Sequence, residues 1–145
     1  MIFLLNLSIN KAIITDKKLN LSKKITFSNF SVKISEFDFY EIEVFNDKEF
    51  SYNELYELKN AQVQLGAKKL PVLVICQEFA STDTNFIKHL AQNQNNPYSK
   101  ADAFVIKSMA HKILANFYLK ITNPERPTKF FKNKEEAIQW LKQYI

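Results

Sequence analysis

The sequence predicts an α/β domain with crossover connections, and three observations predict it. Short apolar runs of β type alternate with amphipathic stretches of helical period over most of the chain. Residues 71–76, Pro-Val-Leu-Val-Ile-Cys, are apolar without interruption, the pattern of a central strand covered on both faces. The last third reads strand, helix, strand, helix across residues 101–106, 108–121, 126–131 and 133–142.

Taken in order, residues 1–24 mix an apolar start with lysine pairs and are expected to form an N-terminal arm or an extra strand. The domain proper is expected over 25–145. Residues 30–34 and 37–45 alternate in polarity, with Ser35 and Glu36 able to turn between them, which predicts an antiparallel hairpin. Tyr40, Ile42 and Val44 share the face expected in the core, whereas Phe39, Glu41, Glu43 and Phe45 point the other way. Ser51 and Glu54 have capping-box spacing, with Phe50 and Leu55 at the staple positions, so a helix begins there. Leu55, Leu58, Ala61 and Leu65 form its stripe, and Gly66, the sole glycine, sits where a left-handed C-cap would end it.

The central strand of residues 72–76 is expected beside residues 103–106, with helices over 52–65 and 109–121 packed on the sheet. Pro71 stands at the strand start, where a missing N–H is tolerated. Ser81-Thr-Asp-Thr84 offers several N-caps for a helix burying Phe86, Ile87, Leu90 and Ala91. Ser108 is the expected cap of the next helix, with Ala110, Ile113, Leu114, Phe117 and Ile121 inward. Asn133 caps the last one, with Glu135 and Glu136 in its positive first turn and Ala137, Ile138, Leu141 and Ile145 as its stripe.

Composition narrows the function classes. A chain of 145 residues with 46% hydrophobic content suits one domain with one sizeable core. The single cysteine, Cys76, excludes an internal disulfide and suits a reducing compartment, so a cytoplasmic location is expected. The greasy first nine residues lack the basic flank and small-residue cleavage pattern of a signal peptide and fall short of a membrane span. The net charge of +5 is carried by lysine with one arginine, Arg126, which disfavours a nucleic-acid partner because base and phosphate readers lean on arginine forks.

Catalytic and metal signatures are weak. His89 and His111 fall in different helices with no thiol or carboxylate at ligand spacing. Cys76 inside an apolar strand is expected to be buried and inert. Glu41 and Glu43 read as an exposed charged strand face before they read as an acid/base pair. No enzyme, cofactor or metal is expected.

Residues 113–120 (Ile-Leu-Ala-Asn-Phe-Tyr-Leu-Lys), 123–131 (Asn-Pro-Glu-Arg-Pro-Thr-Lys-Phe-Phe) and 135–141 (Glu-Glu-Ala-Ile-Gln-Trp-Leu) resemble the SpoIIAA-like group of small STAS-like bacterial proteins, notably a branch common in Bacteroidetes. The resemblance covers roughly residues 25–145. It implies a STAS-like mixed sheet of four to five strands with an N-terminal antiparallel hairpin and about four helices. In the anti-sigma-factor antagonists of that fold, a serine or threonine at the helix after the central strand is phosphorylated and switches partner binding. Ser81, Thr82 and Thr84 fall in that region, although Thr82-Asp-Thr-Asn85 lacks the glycine of the family's Asp-Ser-Ser-Gly element. The CRAL-TRIO-like relatives imply an apolar ligand site instead. The resulting expectation is a non-enzymatic regulatory or protein-interaction module, with a carrier or sensor of an apolar small molecule as the alternative. Phe39, Phe45, Trp140 and Tyr144 are the expected partner or ligand surface, the partner being another protein or a second copy of the chain.

Overall fold

The structure, a computed structural model, describes residues 23–145 together with Asn6, Ser8, Asn10 and Lys11. The arm or extra strand expected over 1–24 otherwise lies outside the described residues. Among the described residues, six strands form one sheet in sequence order: β1 (Lys24–Thr26), β2 (Phe30–Ile34), β3 (Tyr40–Val44), β4 (Leu70–Cys76), β5 (Ser99–Val105) and β6 (Thr128–Phe131). The first three pair antiparallel and β3 to β6 run parallel. The sheet therefore has six strands where four to five were expected, and β1 adds an antiparallel edge before the hairpin.

Each parallel step is bridged by a helix: α1 (Tyr52–Gln64), α2 (Thr84–Leu90) and α3 (Met109–Phe117). Because neighbouring strands follow in sequence and such crossovers share one hand, all three helices fall on one face of the sheet. Their side chains join that face in a single core: Leu55, Leu58 and Ala61 from α1, Phe86 and Ile87 from α2, and Tyr118 after α3, against Val32, Tyr40, Ile42 and Val72. Among the described residues, the last helix, α4 (Lys134–Leu141), is the one that covers the opposite face. There Ala137 and Leu141, each 0% exposed, meet Leu73, Ala101, Ala103, Val105 and Phe131.

Local signals set the helix boundaries. The Ser51 N–H donates to Glu54 Oε2 (2.9 Å), the reciprocal arm of the capping box. Gly66 adopts φ +111 after the last turn of α1, a conformation that strains any L side chain. Ser108 Oγ accepts from His111 N (3.1 Å), and Asn133 Oδ1 accepts from Glu136 N (2.9 Å). The hairpin turn is closed by Ser35, whose N–H donates to Phe39 O (2.8 Å).

Three expectations about faces need correction. Phe39 is 0% exposed, because α4 and its final turn cover the sheet face that alternation alone would leave to solvent. On α3, Ala110, Ile113 and Ile121 are exposed, while His111, Leu114, Ala115 and Tyr118 turn inward. The helix is rotated because His111 is held by Ala80 O and Tyr118 wedges between Phe104 and Phe130, and a π turn over Tyr118–Thr122 carries Ile121 outward. Ile145 is exposed, since a 3-10 turn over Lys142–Tyr144 takes it off the α4 stripe.

Candidate functional site

The three crossover helices do not fill the space they enclose. A cavity of about 120 Å³ remains between them and the sheet. Its floor is Ile42, Val44, Val72, Val74 and Phe104, the inward residues of β3, β4 and β5. Its roof is Leu58 of α1, Phe86 and Leu90 of α2, and Leu114 of α3. The walls are thus almost wholly aliphatic and aromatic, as expected where inward strand residues meet helix stripes.

One end of the cavity lies at the carboxyl ends of the parallel strands, where Cys76, Ala80, Ser81, Thr82, Ile106 and His111 line it. Loops at this edge of an α/β sheet are free to carry ligand contacts, because the strands hold them without being distorted by them. The loop from Gln77 to Asp83 is tied down on both sides. Gln77 Oε1 accepts from Asn46 N (2.8 Å), Phe79 N donates to Asn46 Oδ1 (3.0 Å), and His111 Nε2 contacts Ala80 O (2.8 Å). His111 Nδ1 accepts weakly from Lys107 N (3.4 Å), which leaves Nε2 to donate to Ala80 O. Cys76 is half-buried beside the cavity, and burial pushes its thiol up to about 12, with Lys107 opposing weakly. The thiolate needed for nucleophilic attack is therefore scarce at neutral pH.

The opposite end lies at the amino ends of the strands and is polar. Asp102 on β5 is 2% exposed and pairs with Arg126, whose Nε (2.7 Å) and Nη2 (2.6 Å) both reach Asp102 Oδ2. Arg126 Nη2 also donates to Leu90 O (2.9 Å) and Nη1 to Asn93 Oδ1 (3.4 Å), while Ser99 Oγ donates to Asp102 Oδ1. The pair thereby fastens β5, the turn after α2 and the approach to β6. Beside it stand Gln62, Asn96 and Tyr118, all lining the cavity and all buried. Burial pushes the Tyr118 phenol well above its ordinary range, and the Asp102 carboxylate adds to that.

Sequence reasoning located part of this site and missed part. Ser81 and Thr82 line the cavity, but they are held by hydrogen bonds to the backbone of Lys48 and Phe50 and do not cap α2. Ser81 N donates to Lys48 O (3.0 Å), Ser81 O accepts from Phe50 N (2.9 Å), and Thr82 Oγ1 donates to Phe50 O (2.6 Å). The cap of α2 is Asp83, whose Oδ1 accepts from Phe86 N (2.7 Å), rather than Ser81, Thr82 or Thr84. The carboxylate is the better acceptor for an N–H at a positive helix end. Thr84 is the exposed first residue of that helix. Phe39 and Phe45 are not brought together: Phe39 is in the second core and Phe45 is a half-buried residue after β3. Trp140 and Tyr144 are half-buried and stack edge-on (4.9 Å), with Trp140 also 5.7 Å from Phe131. Glu41 pairs with Lys134 (2.8 Å) and Glu43 accepts from Gln77 Nε2 (2.7 Å), so each carboxylate has its own partner. The missed residues are Asp102, Gln62, Asn96 and Tyr118; the one signal available for the first was the solitary Arg126.

A family model described as "Domain of unknown function (DUF7793)" matches residues 44–145. The chain belongs to that family. The match to the DUF7793 domain begins at the last residue of β3 and takes in α1 to α4, β4, β5, β6 and the whole roof of the cavity. Among solved structures, the chain is similar to an uncharacterized protein of the DUF3478 family with a SpoIIAA-like fold from Shewanella loihica PV-4. The two share 13% identity and a TM-score of 0.54, over 83% of this chain and 99% of that one. At this identity the likeness establishes the SpoIIAA-like fold and nothing about chemistry. No curated protein matches the sequence. Among the described residues, no helix is long and apolar enough to cross a membrane, and no three His, Cys, Asp or Glu side chains gather as a metal site.

Proposed function

We propose that this domain is a non-enzymatic binding module that takes up an apolar small molecule in the cavity between its sheet and helices, as a carrier or sensor. The observation that carries the reading is the cavity itself, about 120 Å³ of space walled by Ile42, Val74, Phe86 and Leu114. Protein interiors are ordinarily packed as densely as organic crystals, so an apolar cleft of this size left between helices and sheet offers a ligand a surface the chain itself does not use. The raised thiol of Cys76 and the committed His111 leave no poised nucleophile and base at the wall, which supports binding over turnover. The test is titration of the isotope-labelled chain with toluene, followed by amide shifts. Saturable shifts confined to residues around Val74 and Leu114 are expected; no saturable shift with any small hydrocarbon discards the reading.

A regulatory protein-interaction role is the second reading. It is supported by the exposed apolar side chains Phe79 (63%), Met109 (69%) and Ile113 (66%), carried by the loop after β4 and by α3. Occupancy of the cavity and the state of the neighbouring Ser81 and Thr82 would then both bear on the same surface. Replacing Phe79 and Ile113 by serine should abolish partner capture while leaving toluene binding intact; unchanged capture rejects it.

A further inference from the structure

We propose that the polar end of the cavity recognises a neutral hydroxyl on a small apolar ligand, through Gln62, Asn96 and Tyr118. The proposal rests on the binding reading above and specifies its ligand. Gln62 is 0% exposed, yet neither Nε2 nor Oε1 has a hydrogen-bond partner. Asn96, 5% exposed, leaves Oδ1 unpartnered, and Tyr118, 2% exposed, leaves Oη unpartnered. Tyr118 Oη lies toward Thr128, whose hydroxyl donates to Arg126 O (3.0 Å), and no hydrogen bond of normal geometry joins the two hydroxyls. Folded proteins leave few buried polar atoms unpaired. Here the residues that carry them come from three separate elements, the end of α1, the turn before β5 and the residue after α3, and all three residues line one space.

The chemistry of the four atoms selects the group. Gln62 offers a donor and an acceptor, Asn96 an acceptor, and the Tyr118 phenol either. A hydroxyl, with one proton and two lone pairs, answers that set. A carboxylate does not: Asp102 lines the same end, and no lysine or arginine lines the cavity. Arg126 is already committed to Asp102, Leu90 O and Asn93 Oδ1. An ammonium gains little either, because Arg126 already neutralises the Asp102 charge and, with Ser99, takes most of its acceptor sites. Size limits the rest of the molecule. A cavity of about 120 Å³, partly open to solvent, is of the order of the ~150 Å³ void known to hold benzene, so a body built on a single small ring fits.

The experiment is a matched titration of the full chain, read by amide shifts, with toluene, p-cresol and p-toluate. p-Cresol is expected to bind at least tenfold more tightly than toluene, with p-toluate failing to compete. In Tyr118→Phe and Gln62→Leu the advantage of p-cresol should fall below about threefold while toluene binds as before. Should Gln62→Leu not fold, Tyr118→Phe alone decides. Equal affinity for toluene and p-cresol overturns the hydroxyl assignment, water then satisfying the four atoms, and leaves the binding reading standing. Tightest binding by p-toluate overturns it in favour of a charged head. Binding of none of the three removes the binding reading itself, and this proposal with it.

Discussion

The two faces of the sheet are packed to different standards. Among the described residues, one carries three helices and leaves a cavity of about 120 Å³; the other carries α4, where Ala101, Ala103, Ala137 and Leu141 are each 0% exposed. Residue size accounts for the difference. The alanines let the α4 backbone come close to β5, and Leu73, Phe131 and Leu141 then close over the contact. On the other face, large side chains such as Tyr40, Phe86 and Tyr118 meet the sheet from three helices that must each follow its own crossover. Covering a face with more helix does not guarantee filling it. What orders the loose face at its amino end is the buried Asp102–Arg126 pair.

That last point can be broken most directly. Asp102→Ala strands the Arg126 guanidinium in an apolar site and is expected to cost about 3–5 kcal/mol in urea unfolding. A loss under ~1 kcal/mol would mean that packing, not the ion pair, sets this end. Next in size is a pair of truncations. Leu141→Ala in the tight face should cost about 3 kcal/mol, whereas Leu114→Ala, which only enlarges an existing space beside a half-buried leucine, should cost about 1 kcal/mol. Equal losses would erase the contrast between the faces.

Overpacking reverses the sign of the comparison. Ala103→Leu, from a residue 0% exposed beneath α4, should destabilise by about 1–3 kcal/mol, while Ala115→Leu points into the cavity and should be neutral within about 1 kcal/mol. The same Ala115→Leu chain should lose toluene binding, which links the packing test to the function. The smallest effect is in the pH dependence. On the cavity face, burial raises Cys76 from 9.0 to about 12 and Tyr40 from 10.0 to about 12, while Tyr40 Oη donates to Lys68 O (2.6 Å). The unfolded chain ionises these groups first, so their contribution is full below about pH 9 and is lost as pH rises toward 12. Cys76→Ala and Tyr40→Phe should each flatten the fall in melting temperature between pH 9 and 11; an unchanged slope would place those groups in contact with water.

Much of this architecture was legible in the residues themselves, because its causes are local. The Ser51–Glu54 spacing, Gly66, Ser108, Asn133 and the apolar run of β4 act within a turn or a strand, and period alone separates strand from helix. They determined element order, the hairpin, the central strand and the buried face of Tyr40, Ile42 and Val44. Their resemblance to SpoIIAA-like proteins carried the fold. Tertiary structure decided what depends on residues far apart in sequence. Phe39 looks outward until α4, about a hundred residues later, covers it. The stripe of α3 looks like Ile113 and Ile121 until His111 meets Ala80 and Tyr118 meets Phe104. Asp102 and Arg126 become a pair, and Gln62, Asn96 and Tyr118 become one site, only when three crossovers fold onto the same face of the sheet. A cavity has no sequence signal, since it is the volume that side chains from several elements jointly fail to fill.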